Sequence, residues 1–177
     1  MNQELASAIY ALHPDAFGWA LHCCGGDRPL AEDVLQIAYQ KWLEGRAVHA
    51  GRSSLKTWWF GVIRFTAREE FRRNRSWEGL VLRLWNSPAS GPLTAPAPSH
   101  LVELDEESTR LRAALGQLPT RQAEVLHLVF YQDLSLSAAA AVLGISTGSA
   151  RRHYERGKTR LRALLAAPSA TSHDASR

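Results

Sequence analysis

Between Ser149 and Arg156, the guanidinium groups of Arg151, Arg152 and Arg156 share about two helical turns with the hydroxyl of Ser149 and the carboxylate of Glu155. A guanidinium presents a planar fork of donors that matches the O6 and N7 acceptors of guanine, while a nearby hydroxyl or carboxylate adjusts which base edge is accepted. At 3.6 residues per turn, Arg151, Arg152, Glu155, Arg156 and Thr159 fall on one outward face, flanked by Lys158, Arg160 and Arg162. Ala150, Tyr154, Gly157, Leu161, Leu164 and Leu165 form the opposite, apolar face. Such segregation suits a helix laid in a DNA major groove. A solvated basic face is the plainer alternative.

The residues just upstream decide between the two. Ser135 is placed to cap a short helix from Leu136 to Leu143, and Ser146 to cap a long one from Thr147 to about Leu165. The turn between them, Gly144-Ile145-Ser146, needs a left-handed residue, which Gly144 supplies, and a core plug, which Ile145 supplies. Ala139 and Ala140 are small enough for a close helix crossing. Together these features read as a helix-turn-helix whose second helix enters DNA. Two further helices precede it. One starts among Glu103, Asp105, Glu106 and Glu107, where carboxylates favour the positive end of the helix dipole, and stops at Pro119. The next runs from about Arg121 to Tyr131.

A second set of candidate residues lies in the first half. Leu55, Trp58, Trp59, Val62, Ile63 and Thr66 define the apolar stripe of a helix expected to reach Arg73. Arg64, Arg68, Arg72 and Arg75 fall opposite that stripe, and Phe60, Phe65 and Phe71 lie off it. Cations interleaved with rings suit single-stranded DNA, where cations hold phosphates and rings stack on unpaired bases. Packing on neighbouring helices is the alternative for Phe60 and Phe71. Another helix, from Ala31 to Leu43, buries Ala31, Val34, Leu35, Ala38, Tyr39, Trp42 and Leu43, and turns Asp33, Gln36, Ile37, Gln40, Lys41 and Glu44 outward.

Strand signals are nearly absent, so the fold class is all-α. The chain of 177 residues is expected to form two small helical domains joined by a Pro-rich linker, the second carrying the helix-turn-helix. The boundaries are drawn at 1–77, a linker at 78–102, 103–167, and a disordered tail at 168–177. Pro88, Gly91, Pro92, Pro96 and Pro98 mark the linker, since prolines at that density cannot sustain a helix. Formal net charge is +4, but its distribution matters more. Leu134 to Arg177 holds seven Lys/Arg against two Asp/Glu, whereas Glu78 to Asp133 holds four against seven. A local cationic surface of this kind points to a polyanion. No apolar run approaches a membrane span and no secretory signal is visible, so the cytoplasm is the expected location. His22, Cys23 and Cys24 are adjacent but lack a second pair of ligands at zinc-site spacing, so no metal or cofactor is expected.

Leu118-Pro119-Thr120-Arg121-Gln122-Ala123-Glu124-Val125-Leu126, with Leu134-Ser135 and Leu143-Gly144-Ile145-Ser146, resembles the C-terminal domain of extracytoplasmic-function sigma factors of RNA polymerase. Ala31-Glu32-Asp33-Val34-Leu35-Gln36, Thr57-Trp58-Trp59-Phe60 and the arginines Arg72, Arg73 and Arg75 resemble the other half of that family. The resemblance implies an alternative sigma factor with no catalytic residue and no cofactor. Its partners would be core RNA polymerase, promoter DNA in double- and single-stranded form, and an anti-sigma factor. Asp33, Gln36, Ile37, Gln40 and Lys41 would meet the polymerase clamp. Gly51, Arg52, Lys56, Arg64, Phe65, Arg68 and Arg72 would handle the minus-ten element, with the loop from Arg46 to Ser54 capturing an unpaired base. Ser149, Arg151, Arg152, Glu155 and Arg156 would read the upstream, minus-thirty-five element. Ile37, Gly61, Phe65 and Ala150 depart from the residues usual in the family, which are Glu, Arg, Asn and Val. A conventional helix-turn-helix regulator, binding an operator without polymerase, is the competing reading. A small helical enzyme has no nucleophile-base pair to support it.

Overall fold

The computed structural model describes residues 3–84 and 106–166, with side chains described at 3–74, 110–111 and 113–166. Most of the expected linker and the expected tail lie outside the described residues. The described residues form α-helices, eight of them, and no strand. The first unit comprises α1 (Gln3–Ala11), α2 (His13–Cys23), α3 (Arg28–Leu43) and α4 (Leu55–Leu84). The first two go beyond the helices expected from the sequence. Pro14 sits in the first turn of α2, where a missing N–H costs nothing. At the start of α3, the Asp27 carboxylate accepts from the Leu30 amide at 3.0 Å. The Ser54 hydroxyl does the same for the Thr57 amide at 3.2 Å, which starts α4.

α4 runs to Leu84, past both its expected end at Arg73 and the expected boundary at residue 77. No proline interrupts that stretch, and Gly79 is its only glycine among strong helix formers such as Leu80, Leu82 and Arg83. Trp19, Trp59, Phe60, Ile63 and Ile9 are fully buried between the helices. A buried ring of this kind stabilises the fold by roughly 1.5–3 kcal/mol. The Trp19 indole N–H donates to the Phe60 carbonyl at 3.0 Å, tying α2 to α4. Phe60 therefore belongs to the core, as the packing alternative held.

The second unit comprises α5 (Glu106–Gly116), α6 (Thr120–Phe130), α7 (Leu136–Leu143) and α8 (Thr147–Ala166). Gly144 closes α7 at φ 63°, ψ 39°, the left-handed region where a Cβ is penalised. Ser135 accepts from the Ala138 amide at 3.2 Å, and Ser146 from the Ser149 amide at 3.1 Å. α8 lies close on α6 because residue 157 is glycine. A Cβ there would sit 3.0 Å from Leu126 Cδ1 and 3.3 Å from Gln122 Cβ.

The two units pack directly on each other, α7 against α4 and α6 against α2. Their apolar cores merge into one, with Val125, Leu128, Val142 and Leu143 joining Trp19, Phe60 and Ile63. Two domains expected to be separated by a linker thus share an interface, and polar side chains cross it. Nothing in the hydrophobic patterning of either half announces that contact.

Candidate nucleic-acid interface

On α8 the structure separates the two faces as expected. Ala150 and Gly157 are buried, and Tyr154 stacks on Phe130 with ring centroids 5.8 Å apart. Arg151, Arg152, Glu155 and Arg156 are exposed, and Ser149 is half-buried. An Arg152 guanidinium nitrogen donates to the Ser149 hydroxyl at 3.3 Å, which holds that fork near the start of the helix. Glu155 lies 3.5 Å from the Lys158 ammonium. Three guanidinium groups on the outer face of a capped helix, with its N-terminus free, are suited to a groove of base edges lined by phosphates.

The first unit presents a cleft of about 580 Å³ between α3, the loop that follows it, and α4. Its walls include Lys41, His49, Arg52, Ser53, Trp58, Phe65, Thr66 and Glu69. Gly51, at φ 70°, turns the loop above it, and a His49 ring nitrogen lies 2.9 Å from the Ser53 carbonyl. Phe65 stands at the rim, 61% exposed, with the Lys41 ammonium 5.5 Å from its ring centroid. Arg52, Arg68 and Arg72 are exposed on the same unit. A room of this size, floored by a ring and edged by cations, can hold a splayed base and its phosphate.

Three of the sequence-derived positions are placed differently. Arg64, expected on the open cationic face, is only 7% exposed. Its Nε donates to Glu124 at 2.9 Å and another nitrogen to the Leu143 carbonyl at 3.4 Å. The stripe of α4 that faces the second unit passes through Arg64, and no pattern within α4 could show that a second unit would cover it. Lys41, expected beside Asp33 and Gln36, turns instead into the cleft, bonded to Thr66 at 3.1 Å and paired with Glu69. Lys56 pairs with Asp15 at 2.8 Å and so braces α4 on α2. Arg75 lies on α4 beyond the described side chains.

Asp33, Gln36 and Gln40 are exposed on α3, and Ile37 is half-buried. Gln36, Gln40 and Tyr39 of α3 border a second groove of about 1180 Å³, which α1 and α2 complete with Tyr10, Pro14 and Phe17. Tyr10 and Leu43 are more than half exposed there. Sequence reasoning missed this groove because α1 was not recognised, and it counted Leu43 as core. Burial raises the Cys24 thiol to about 12, so that thiol stays protonated and unreactive. Among the described residues, no three His, Cys, Asp or Glu side chains converge as metal ligands.

A helix-turn-helix with a cationic outer face, joined to a helical unit with a cationic, ring-edged cleft, defines a DNA-binding transcription protein. The sigma-70 region 2 family matches residues 9–77, and the sigma-70 region 4 family matches residues 114–163. The chain belongs to the sigma-70 family of RNA polymerase sigma factors, in its extracytoplasmic-function (ECF) group. It is 29% identical over 166 residues to the ECF RNA polymerase sigma factor EcfG of Rhodopseudomonas palustris, covering 93% of this chain and 87% of that one. It is 28% identical to the ECF RNA polymerase sigma factor RpoE of Cereibacter sphaeroides, covering 75% and 68%. Among solved structures, it resembles the sigma factor RpoE of Bartonella quintana, crystallised with the anti-sigma factor NepR. The TM-score is 0.63 at 22% identity, over 92% of this chain and 97% of that one. It also resembles CnrH in complex with the cytosolic domain of CnrY, at TM-score 0.60 and 25% identity, over 93% and 89%.

Proposed function

We propose that this chain is an alternative sigma factor that binds core RNA polymerase and directs promoter recognition and transcription initiation. The observation that carries the reading is the ordered pair of sigma units, each with a surface suited to a different state of DNA. The outer face of α8, through Arg151, Arg152 and Arg156 with Ser149 and Glu155, reads the duplex minus-thirty-five element. The α4 cleft takes an unpaired base of the minus-ten element, with Gly51 and Arg52 at its loop and Phe65 as the stacking ring. Arg68 and Arg72 track the displaced strand. Lys41 belongs to this cleft rather than to the polymerase face.

Asp33, Gln36, Ile37 and Gln40, with the groove beside them, dock the polymerase clamp. An anti-sigma factor is a further partner, supported by relatives whose structures contain one. The chain works in the cytoplasm, where polymerase is, and holds no catalytic role of its own. The test is core binding by the Asp33→Lys, Ile37→Lys double variant. Both side chains reach solvent, so helicity should be unchanged while affinity for core polymerase is lost. Undiminished affinity would remove α3 from the polymerase interface.

A further inference from the structure

Besides the shared apolar core, specific polar contacts join the two units, and the DNA-binding surfaces just described do not use them. Arg64 of α4 meets both carboxylate oxygens of Glu124 on α6, at 2.9 Å and 3.4 Å. Arg121 holds the same carboxylate at 3.0 Å. One turn further along α6, His127 stacks on His22 of α2 with centroids 4.3 Å apart, and lies tilted against Trp19 at 5.4 Å. The Gln132 amide nitrogen reaches the Asp15 carbonyl at 3.4 Å and His127 Nε2 at 3.3 Å. An amide nitrogen only donates, so His127 Nε2 must accept, and the imidazole must be neutral.

Other charged and titratable groups also face this pair. From α2 they are Asp15, whose carboxylate Lys56 holds, and Cys23. From α4 there is Arg64, and from α6 there are Glu124, Arg121 and Tyr131. Glu124 is the one carboxylate that favours protonation of His22, and Arg64 and Arg121 already neutralise it. Burial accordingly holds both imidazoles below the usual histidine value of 6.5, and His127 falls to about 3, helped by His22.

The arrangement has a cost for promoter use. Elements named minus ten and minus thirty-five are separated by about 25 base pairs, roughly 85 Å along a duplex axis at about 3.4 Å per pair. Units in direct contact through a 2.9 Å ion pair cannot occupy both. Ala141 of α7 also lines the rim of the α4 cleft, where the displaced strand would enter.

Resting on the sigma-factor reading above, we propose that this interface is an intramolecular latch. The second unit occupies Arg64 and the cleft rim, the closed chain is withheld from DNA, and protonation of His22 and His127 opens it. The direction follows from proton linkage. Above about pH 6.5 neither state takes up these protons, and the closed state is at full strength. As pH falls below 6.5, the separated imidazoles protonate while the closed ones do not. Closure then weakens about tenfold per pH unit from His127 alone, down to its closed value of about 3, and His22 adds in the same direction. Glu124 is the other control point, because a buried guanidinium that loses its carboxylate is left stranded and drives separation.

The test uses the full chain, followed by small-angle X-ray scattering, circular dichroism and binding of a fluorescent single-stranded oligonucleotide of mixed sequence. Between about pH 7.5 and about pH 5.5 the radius of gyration should rise with helicity unchanged. The His22→Phe, His127→Phe double variant keeps both stacked rings without the titrating nitrogens, and should stay compact at both values. Glu124→Gln should be extended at both, and should bind the oligonucleotide about tenfold more tightly than the parent at neutral pH. A parent chain that stays compact, or a His22→Phe, His127→Phe chain that opens with it, overturns the histidine switch. Extension of Glu124→Gln without a gain in DNA affinity overturns the withholding. If Glu124→Gln loses helicity, the parent and the His22→Phe, His127→Phe arms decide alone. Core-polymerase binding, measured separately, tests the sigma-factor reading, so a chain that opens on acidification but ignores polymerase keeps the latch and loses that reading.

Discussion

The Lys41 ammonium lies 5.5 Å from the centroid of the Phe65 ring, and both line the cleft together with Trp58. Thr66 and Glu69 hold the cation in place, so the ring keeps one face toward Lys41 and has the cleft beside it. Base stacking on an exposed ring is worth roughly 1–3 kcal/mol. Phe65→Ala should therefore weaken holoenzyme binding to a pre-melted promoter by about fivefold to a hundredfold. Phe65→Tyr should retain it. Because Phe65 is exposed, neither change should move the melting temperature appreciably. Equal binding by Phe65→Ala and the parent would take the ring out of strand capture.

The arginines of α8 give a second expectation. Arg152→Ala with Arg156→Ala should reduce use of the protein's own promoters, each bidentate base contact contributing about 1–3 kcal/mol of discrimination. Both side chains are exposed, so stability should change by no more than about 0.5 kcal/mol per site. Footprinting of holoenzyme over the upstream element reads the loss. Normal initiation by the double variant would place the specificity elsewhere.

Packing of α8 on α6 gives a third. Gly157→Val puts three extra carbons against Leu126 and Gln122, where even a Cβ has only 3.0–3.3 Å. Overpacking of this kind costs about 1–3 kcal/mol. Thermal denaturation should show a lower midpoint, together with weaker upstream-element binding because the recognition helix is displaced. An unchanged midpoint would mean that Leu126 moves aside without loss.

How far these features were legible in the sequence depends on whether a signal is local. Ser135, Gly144 and Ser146 act within a few residues, and the helices they bound, Leu136–Leu143 and Thr147–Ala166, match the expected spans to within a residue. The outward face of α8 follows from period alone. Asp33, Gln36 and Gln40 likewise reach solvent as the period requires. What failed was non-local. Arg64 sits opposite the apolar stripe of α4, yet Glu124, sixty residues away, covers it. Lys41 is long enough to leave its own face for Thr66 and Glu69, which Cβ direction does not reveal. α1 is only nine residues long, and α2 mixes small, polar and aromatic residues without a clean stripe, so their groove with α3 stayed hidden.

The most direct measurement of the central claim is transcription by purified core RNA polymerase from genomic fragments, with and without this chain, reading the 5′ ends of the products. A sigma factor should create discrete start sites absent from core alone. The Asp33→Lys, Ile37→Lys variant should create none, and Arg152→Ala with Arg156→Ala should weaken the same sites without shifting them. Start sites identical with and without the chain, while the chain binds duplex DNA by itself, would contradict the account and make it a regulator that acts without replacing sigma.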